Sequence, residues 1–314
     1  MQQIPGISKG RPALLMNSLR GELPQTKAAV TTPLRAKAQS ENASADTRAI
    51  LLQSGCKTPF FFLHGDWTGN SFFCFKLAHA LGPDQPFYIL DAYNFEPYQV
   101  LPSLETMAAE QLAIIRAVQP EGPYLLGGFC NGGLLAYEMA RQLHSAGQKV
   151  DLLVLIDAQA PFRPKTSILV HLIGSLFHIK QEKQLIWFLR LQHLYLYLTG
   201  LDPNAFEFIK TIDPRVTSWF PPVETLRKEF SPMFTWAMIE YKPSFYPDKV
   251  TLFWTEAELF RRRLWQKMAE GKDREVEVHL IPGSHGTCKT EHLDSMAERL
   301  QRCLLKMQNS TKQL

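Results

Sequence analysis

The residues best placed to do chemistry lie in one glycine-rich stretch, Gly127-Gly128-Phe129-Cys130-Asn131-Gly132-Gly133. It falls between an apolar run that reads as a strand and an apolar-periodic segment that reads as a helix. Gly128 and Gly132, two before and two after Cys130, carry no side chain, so strand and helix can pack closely around a strained turn. Such a turn presents its central residue at the N-terminus of the next helix, where free N–H groups and the helix dipole favour negative charge. Thiols in that setting ionise more readily than isolated ones. The chemistry implied is nucleophilic acyl transfer through sulfur. The alternative is a buried structural cysteine in the phosphate turn of a nucleotide-binding fold, but the rest of the dinucleotide fingerprint is absent.

A nucleophile in this turn needs a base and an acid, and in G-x-S-x-G enzymes, the α/β-hydrolases, these follow in the chain order nucleophile, acid, histidine. Asp157 closes the apolar run Leu152-Leu153-Val154-Leu155-Ile156, at the C-terminal edge of the expected sheet, where open α/β sheets build their sites. His285, in Ile281-Pro282-Gly283-Ser284-His285-Gly286, follows the last strand-like run on the same edge. Glu256 and Glu258, after the preceding run, are alternative acids. The loop His64-Gly65-Asp66-Trp67-Thr68-Gly69-Asn70 follows the first run. In this fold that loop supplies one N–H to hold an oxyanion, and the residue after the nucleophile, here Asn131, supplies the other. His64 itself reads as a residue that positions the loop. Cys288, close to His285, has no elbow around it.

These residues must be held by a frame, and the chain provides one from Pro59 onward. Apolar runs at Phe60–Leu63, Phe87–Leu90, Tyr124–Leu126, Leu152–Ile156, Val250–Trp254 and Val276–Ile281 alternate with helical segments at 103–118, 134–143 and about 292–307. Continuous apolar runs suit strands buried on both faces, and alternation with helices implies a mostly parallel, doubly wound sheet. Residues from about 162 to 245 break the alternation. They are helical in period (Leu185, Phe188, Leu189, Leu191, Leu194, Leu198) and aromatic-rich, and read as an insertion between two strands. Residues 1–48 have no sustained apolar period and read as a flexible tail or linker, leaving 49–314 as one catalytic domain. An organelle-targeting peptide is a rival reading of that tail.

Composition narrows the classes. The 314 residues are 45% hydrophobic with a formal charge of +4, too mild and dispersed for a nucleic-acid surface. Five cysteines without regular spacing form neither a disulfide framework nor a zinc motif, and read as reduced thiols of a cytoplasmic protein. No run is apolar and long enough to span a bilayer. Neither a metal nor a bound cofactor is expected.

From about Arg48 to Met307 the sequence resembles the thioesterase domains of nonribosomal peptide and polyketide synthases. The similarity runs through PFFFLHG (59–65), QPEGPY (119–124), the GGFCNGG elbow (127–133), LVLID (153–157) and PGSH (282–285). The resemblance implies an α/β-hydrolase fold with a helical lid, the acid at Asp157, and oxyanion donors at the Asp66 and Asn131 amides. It implies an acyl, aminoacyl or peptidyl donor carried on the phosphopantetheine arm of a carrier protein, for which mild basicity would suit docking. Cys130 departs from the serine of most members. The minority with cysteine are similar in being linked to acyl transfer or ring closure. A chain opening on Met1 without an upstream carrier domain is expected to act on its carrier protein or synthase in trans. Two other functions are compatible with the residues: hydrolysis of a free ester or amide, and noncatalytic binding on the same fold.

Overall fold

The computed structural model describes residues 49–65, 71–91, 93–95, 97–158, 163–199, 219–256, 265 and 276–311. The expected tail, 1–48, lies outside them. Seven strands form one sheet: β1 (Ala49–Gln53), β2 (Phe60–Leu63), β3 (Phe87–Leu90), β4 (Tyr124–Phe129), β5 (Val150–Ile156), β6 (Val250–Thr255) and β7 (Val276–Ile281). Their spatial order is β1-β3-β2-β4-β5-β6-β7. All neighbours are parallel except β1 and β3. The short runs FFFL, YLLGGF and VTLFWT are buried at every position, as expected of strands covered on both faces.

Among the described residues, α1 (Phe72–Ala80), α2 (Leu104–Val118) and α3 (Asn131–Ser145) are the crossover helices of the first half of the sheet. Ser103, predicted to open α2, caps it by accepting the Thr106 N–H at 3.2 Å. The helix α8 (Leu293–Thr311) packs with α1 on one face, and α2 packs with α3 on the other. Two buried apolar clusters correspond to these faces, one with Phe62, Leu77, Ile156 and Leu300, the other with Leu112, Leu134, Leu153 and Trp254. The chain steps from β2 outward to β3, then returns past β2 to β4. The gap between the C-terminal ends of β2 and β4 is thus a topological switch point, where open α/β sheets place their ligands.

Between β5 and β6 the described residues form α4 (Lys165–Leu176), α5 (Gln181–Thr199), α6 (Val223–Leu226) and α7 (Phe230–Ala237), with no strand among them. In α5 the buried set is Gln184, Leu185, Phe188, Leu189 and His193, whereas Leu191 and Leu198 of the expected stripe are exposed. Leu185, Phe188 and Leu189 of the expected stripe are buried, and the buried strip is narrower than the stripe because α5 packs chiefly against α4, α6 and α7 among the described helices. Buried Tyr241, just beyond α7, ties this block to α3: its hydroxyl donates to the fully buried Glu138 at 3.0 Å.

Candidate active site

Cys130 sits between the last residue of β4 and the first of α3, with φ 54° and ψ −123°. That backbone region is costly for a residue with a Cβ. It is held by two hydrogen bonds, Cys130 N–H to Ile156 O at 3.1 Å and Gly133 N–H to Cys130 O at 3.1 Å. The elbow glycines make this turn possible. A Cβ on Gly128 would lie 2.3 Å from Gly132 O, and a Cβ on Gly132 would lie 2.2 Å from Leu63 O. Strand, turn, helix and the end of β2 are therefore in backbone contact, which only glycine allows.

Asp157 follows β5, also at positive φ (42°), and its N–H donates to Phe253 O of β6 at 2.7 Å. The side chain is fully buried. Thr255, at the end of β6, donates its hydroxyl to Asp157 Oδ1 at 3.2 Å, and Oδ2 is hydrogen-bonded to His285 Nδ1. His285 comes from the loop after β7, at the same sheet edge. Its ring stacks on Phe129 with centroids 4.7 Å apart, and the Cys130 side chain is near enough to act on its titration. Burial, the largest influence, lowers the imidazole pKa, but Asp157 and Cys130 together outweigh it and raise it to about 9.

The loop that carries His285 is braced internally. Ser284 N–H donates to Thr287 Oγ1 at 2.8 Å, and Cys288 N–H to Ser284 O at 2.9 Å. The Cys288 thiol donates to His285 O at 3.3 Å, and burial pushes its pKa up to about 12, so it is a protonated brace behind the histidine.

Three residues expected to act together, Cys130, Asp157 and His285, are thus brought together at one edge of the sheet, with His285 bonded to Asp157 and influenced by Cys130. Glu256, the alternative acid, is exposed and has no part in it, while Glu258 lies outside the described residues. Asn131 is buried as the first residue of α3, so its N–H is among those a helix leaves without an internal partner. Asp66, the other expected oxyanion donor, lies outside the described residues. His64 is buried at the end of β2, in keeping with a positioning role. Of the aromatics in the inserted block, Phe188 is buried against Trp236, whereas Phe177, Trp187, Tyr195, Trp219 and Phe220 are largely exposed.

Sequence reasoning missed Thr255 and Phe129 as partners of these three. A signal for Thr255 exists: it ends a strand parallel to the one that Asp157 follows. Phe129 gives none, since a residue before an elbow can point to either face.

Comparison with known proteins adds the family. The thioesterase domain model matches residues 61–304. The non-reducing polyketide synthase crz7 of Cladonia metacorallifera is 39% identical over 135 residues, 41% of this chain and 6% of that synthase. The dimodular nonribosomal peptide synthase of Bacillus subtilis (strain 168) is 35% identical over 154 residues, 48% of this chain and 6% of that protein. This chain thus spans a small fraction of the curated relatives it matches. Among solved structures, the NocB thioesterase domain in covalent complex with a fluorophosphonate nocardicin G analog superposes with a TM-score of 0.52 at 23% identity, over 80% of this chain and 96% of that one. That likeness places the sheet and its flanking helices in the α/β-hydrolase fold. No helix among the described residues is long and apolar enough to cross a membrane.

Proposed function

The chain belongs to the thioesterase domain family, and within it we propose an enzyme that takes an acyl, aminoacyl or peptidyl group from a carrier-protein thioester through a covalent intermediate on Cys130. The observation that supports this reading is the Asp157–His285 hydrogen bond beside Cys130, with both Asp157 and Cys130 acting on the imidazole, at a switch point of the sheet. The relatives are synthases of polyketides and nonribosomal peptides, which points to a carrier-bound substrate on a phosphopantetheine arm and to secondary-metabolite biosynthesis.

In the proposed reaction His285, its Nδ1 held by Asp157 and its ring protonated at neutral pH, already carries the Cys130 proton as sulfur attacks the thioester carbonyl. A C–S bond forms and the carbonyl electron pair moves to oxygen. The Asn131 N–H and an N–H from the loop after His64, assigned to Asp66, hold that oxyanion. The pair returns, the bond to the pantetheine sulfur breaks, and that sulfur leaves with the proton from His285. Water, or a hydroxyl or amine of the acyl group or of a second substrate, then attacks the Cys130 thioester, with His285 taking its proton and Cys130 leaving. Cysteine suits this sequence. Thioester-to-thioester loading is close to thermoneutral, and the product stays reactive toward amines, unlike a serine ester.

The helices between β5 and β6, within 162–245, are assigned as the lid of a domain spanning 49–314. To test the function, one acyl chain is supplied both on a phosphopantetheinylated carrier protein and as a free oxygen ester. Faster turnover of the carrier thioester is expected. Preference for the free ester would replace this reading with small-molecule hydrolysis, and inertness toward both would favour a binding protein.

A further inference from the structure

A second set of ligand-bearing side chains lies away from Cys130, on the sheet face that α8 covers. Glu277 and His279 are two apart on β7, so they project from the same face as Ile281, which is buried in the cluster that includes α8. Cys303, on α8 and buried, meets them there. His279 Nε2 lies 3.0 Å from Glu277 Oε1 and 3.7 Å from Cys303 Sγ. One ligand atom from each residue falls within 4.8 Å of the others.

Both contacts converge on the same ring nitrogen. At His279 one nitrogen faces a carboxylate and a sulfur at once, and a single N–H or lone pair serves only one of them well. A cation between the three atoms serves all of them. Tetrahedral coordination at zinc bond lengths puts ligand atoms about 3.3–3.6 Å apart, and the two measured separations bracket that range. We propose that Glu277, His279 and Cys303 form a site for Zn²⁺ or a similar borderline-soft divalent ion, with water completing the coordination, that clamps β7 to α8.

The donor set selects the ion. A thiolate with an imidazole suits zinc and not Mg²⁺ or Ca²⁺, which take oxygen ligands. One carboxylate and one thiolate also balance its two charges. Lys249 Nζ lies 2.8 Å from Glu277 Oε2, so the ammonium occupies one carboxylate oxygen and orients the other toward His279. Burial, joined by the charge of Glu277 and opposed by Lys249, Lys306 and Arg302, pushes the Cys303 thiol up to about 11. The ion must therefore displace that proton as it binds. The location gives the clamp a purpose. β7 is an edge strand, and its C-terminal end runs directly into the loop that carries His285. The ligands are 24 residues apart between strand and helix, so no motif spacing announces them.

The test is a Co²⁺ titration of the full chain followed by absorption. One equivalent should bind with a thiolate-to-cobalt charge-transfer band in wild type and in Cys130→Ala. The band should be absent in Cys303→Ser and at least tenfold weaker in affinity in His279→Gln. Added Zn²⁺ should abolish the band and raise the Tm of wild type but not of Cys303→Ser. If Cys303→Ser is misfolded by circular dichroism, His279→Gln decides alone. The proposal is overturned by the lack of a band in wild type, by unchanged affinity in His279→Gln, or by a band that survives in Cys303→Ser and vanishes in Cys130→Ala.

Discussion

Nδ1 of His285 is hydrogen-bonded to Oδ2 of Asp157, a fully buried carboxylate 128 residues earlier in the chain. This contact orients the imidazole and, when the ring is neutral, keeps its proton on Nδ1. It joins the end of β5 to the loop after β7 across the C-terminal end of β6. Four expected outcomes follow from it and from the turn opposite it.

Asp157→Asn retains the size of the side chain but can donate to Nδ1, which favours the wrong tautomer. On a carrier-bound thioester, kcat should fall by about 10³–10⁴-fold with little change in KM, by analogy with the same change in serine proteases. Steady-state kinetics would check this, and a loss below tenfold would remove Asp157 from the mechanism.

The titration of His285 reports both partners. Because Asp157 and Cys130 each raise its pKa, the ring signal followed by NMR should titrate near 9 in wild type. The midpoint should move down in Asp157→Asn and also in Cys130→Ala. An unchanged midpoint in either variant would show that the missing partner does not act on the ring.

The same shift makes a stability prediction with a definite sign. The folded-state value of about 9 lies above the ordinary histidine value of 6.5. The imidazolium therefore stabilises the fold fully below 6.5, and that contribution is lost as pH rises through 9. The Tm difference between wild type and His285→Gln should be largest at the acidic end and shrink between those limits. A difference that grows with pH would contradict it.

The elbow predicts a steric outcome. A methyl group on Gly132 would meet Leu63 O at 2.2 Å, backbone rather than a flexible side chain. Gly132→Ala should lose about 1–3 kcal/mol or more of stability, read by urea denaturation, and should lose thioesterase activity as the turn shifts. A fully stable, active variant would mean that the turn is looser than described.

Much of the site was legible because chemistry and backbone constraints coincide there. Gly128 and Gly132 are demanded by contacts with Gly132 O and Leu63 O, so the elbow had to appear in the sequence. Asp157 follows a continuous apolar run that reads as an interior strand, and His285 follows the last strand-like run by four residues. Other features leave weaker traces. β1 is an antiparallel edge strand, half exposed, and its apolar stretch Ala49–Leu52 precedes the alternation that begins at Pro59. The short helix α1 has apolar residues on all sides and hence little period. The hydroxyl of Thr255 and the ring of Phe129 become partners only through register and packing. The buried face of α5 depends on three helices around it, which no local pattern encodes.

The central claim is that the acyl group rests on the sulfur of Cys130. The direct measurement is intact mass followed by peptide mapping, after the full chain meets an acyl carrier thioester and is quenched in acid. A mass gain equal to the acyl group, confined to the peptide holding Cys130, absent in Cys130→Ala and reversed by added pantetheine, is the expected result. Wild-type turnover in Cys130→Ala, or an adduct on any other residue, would contradict the account.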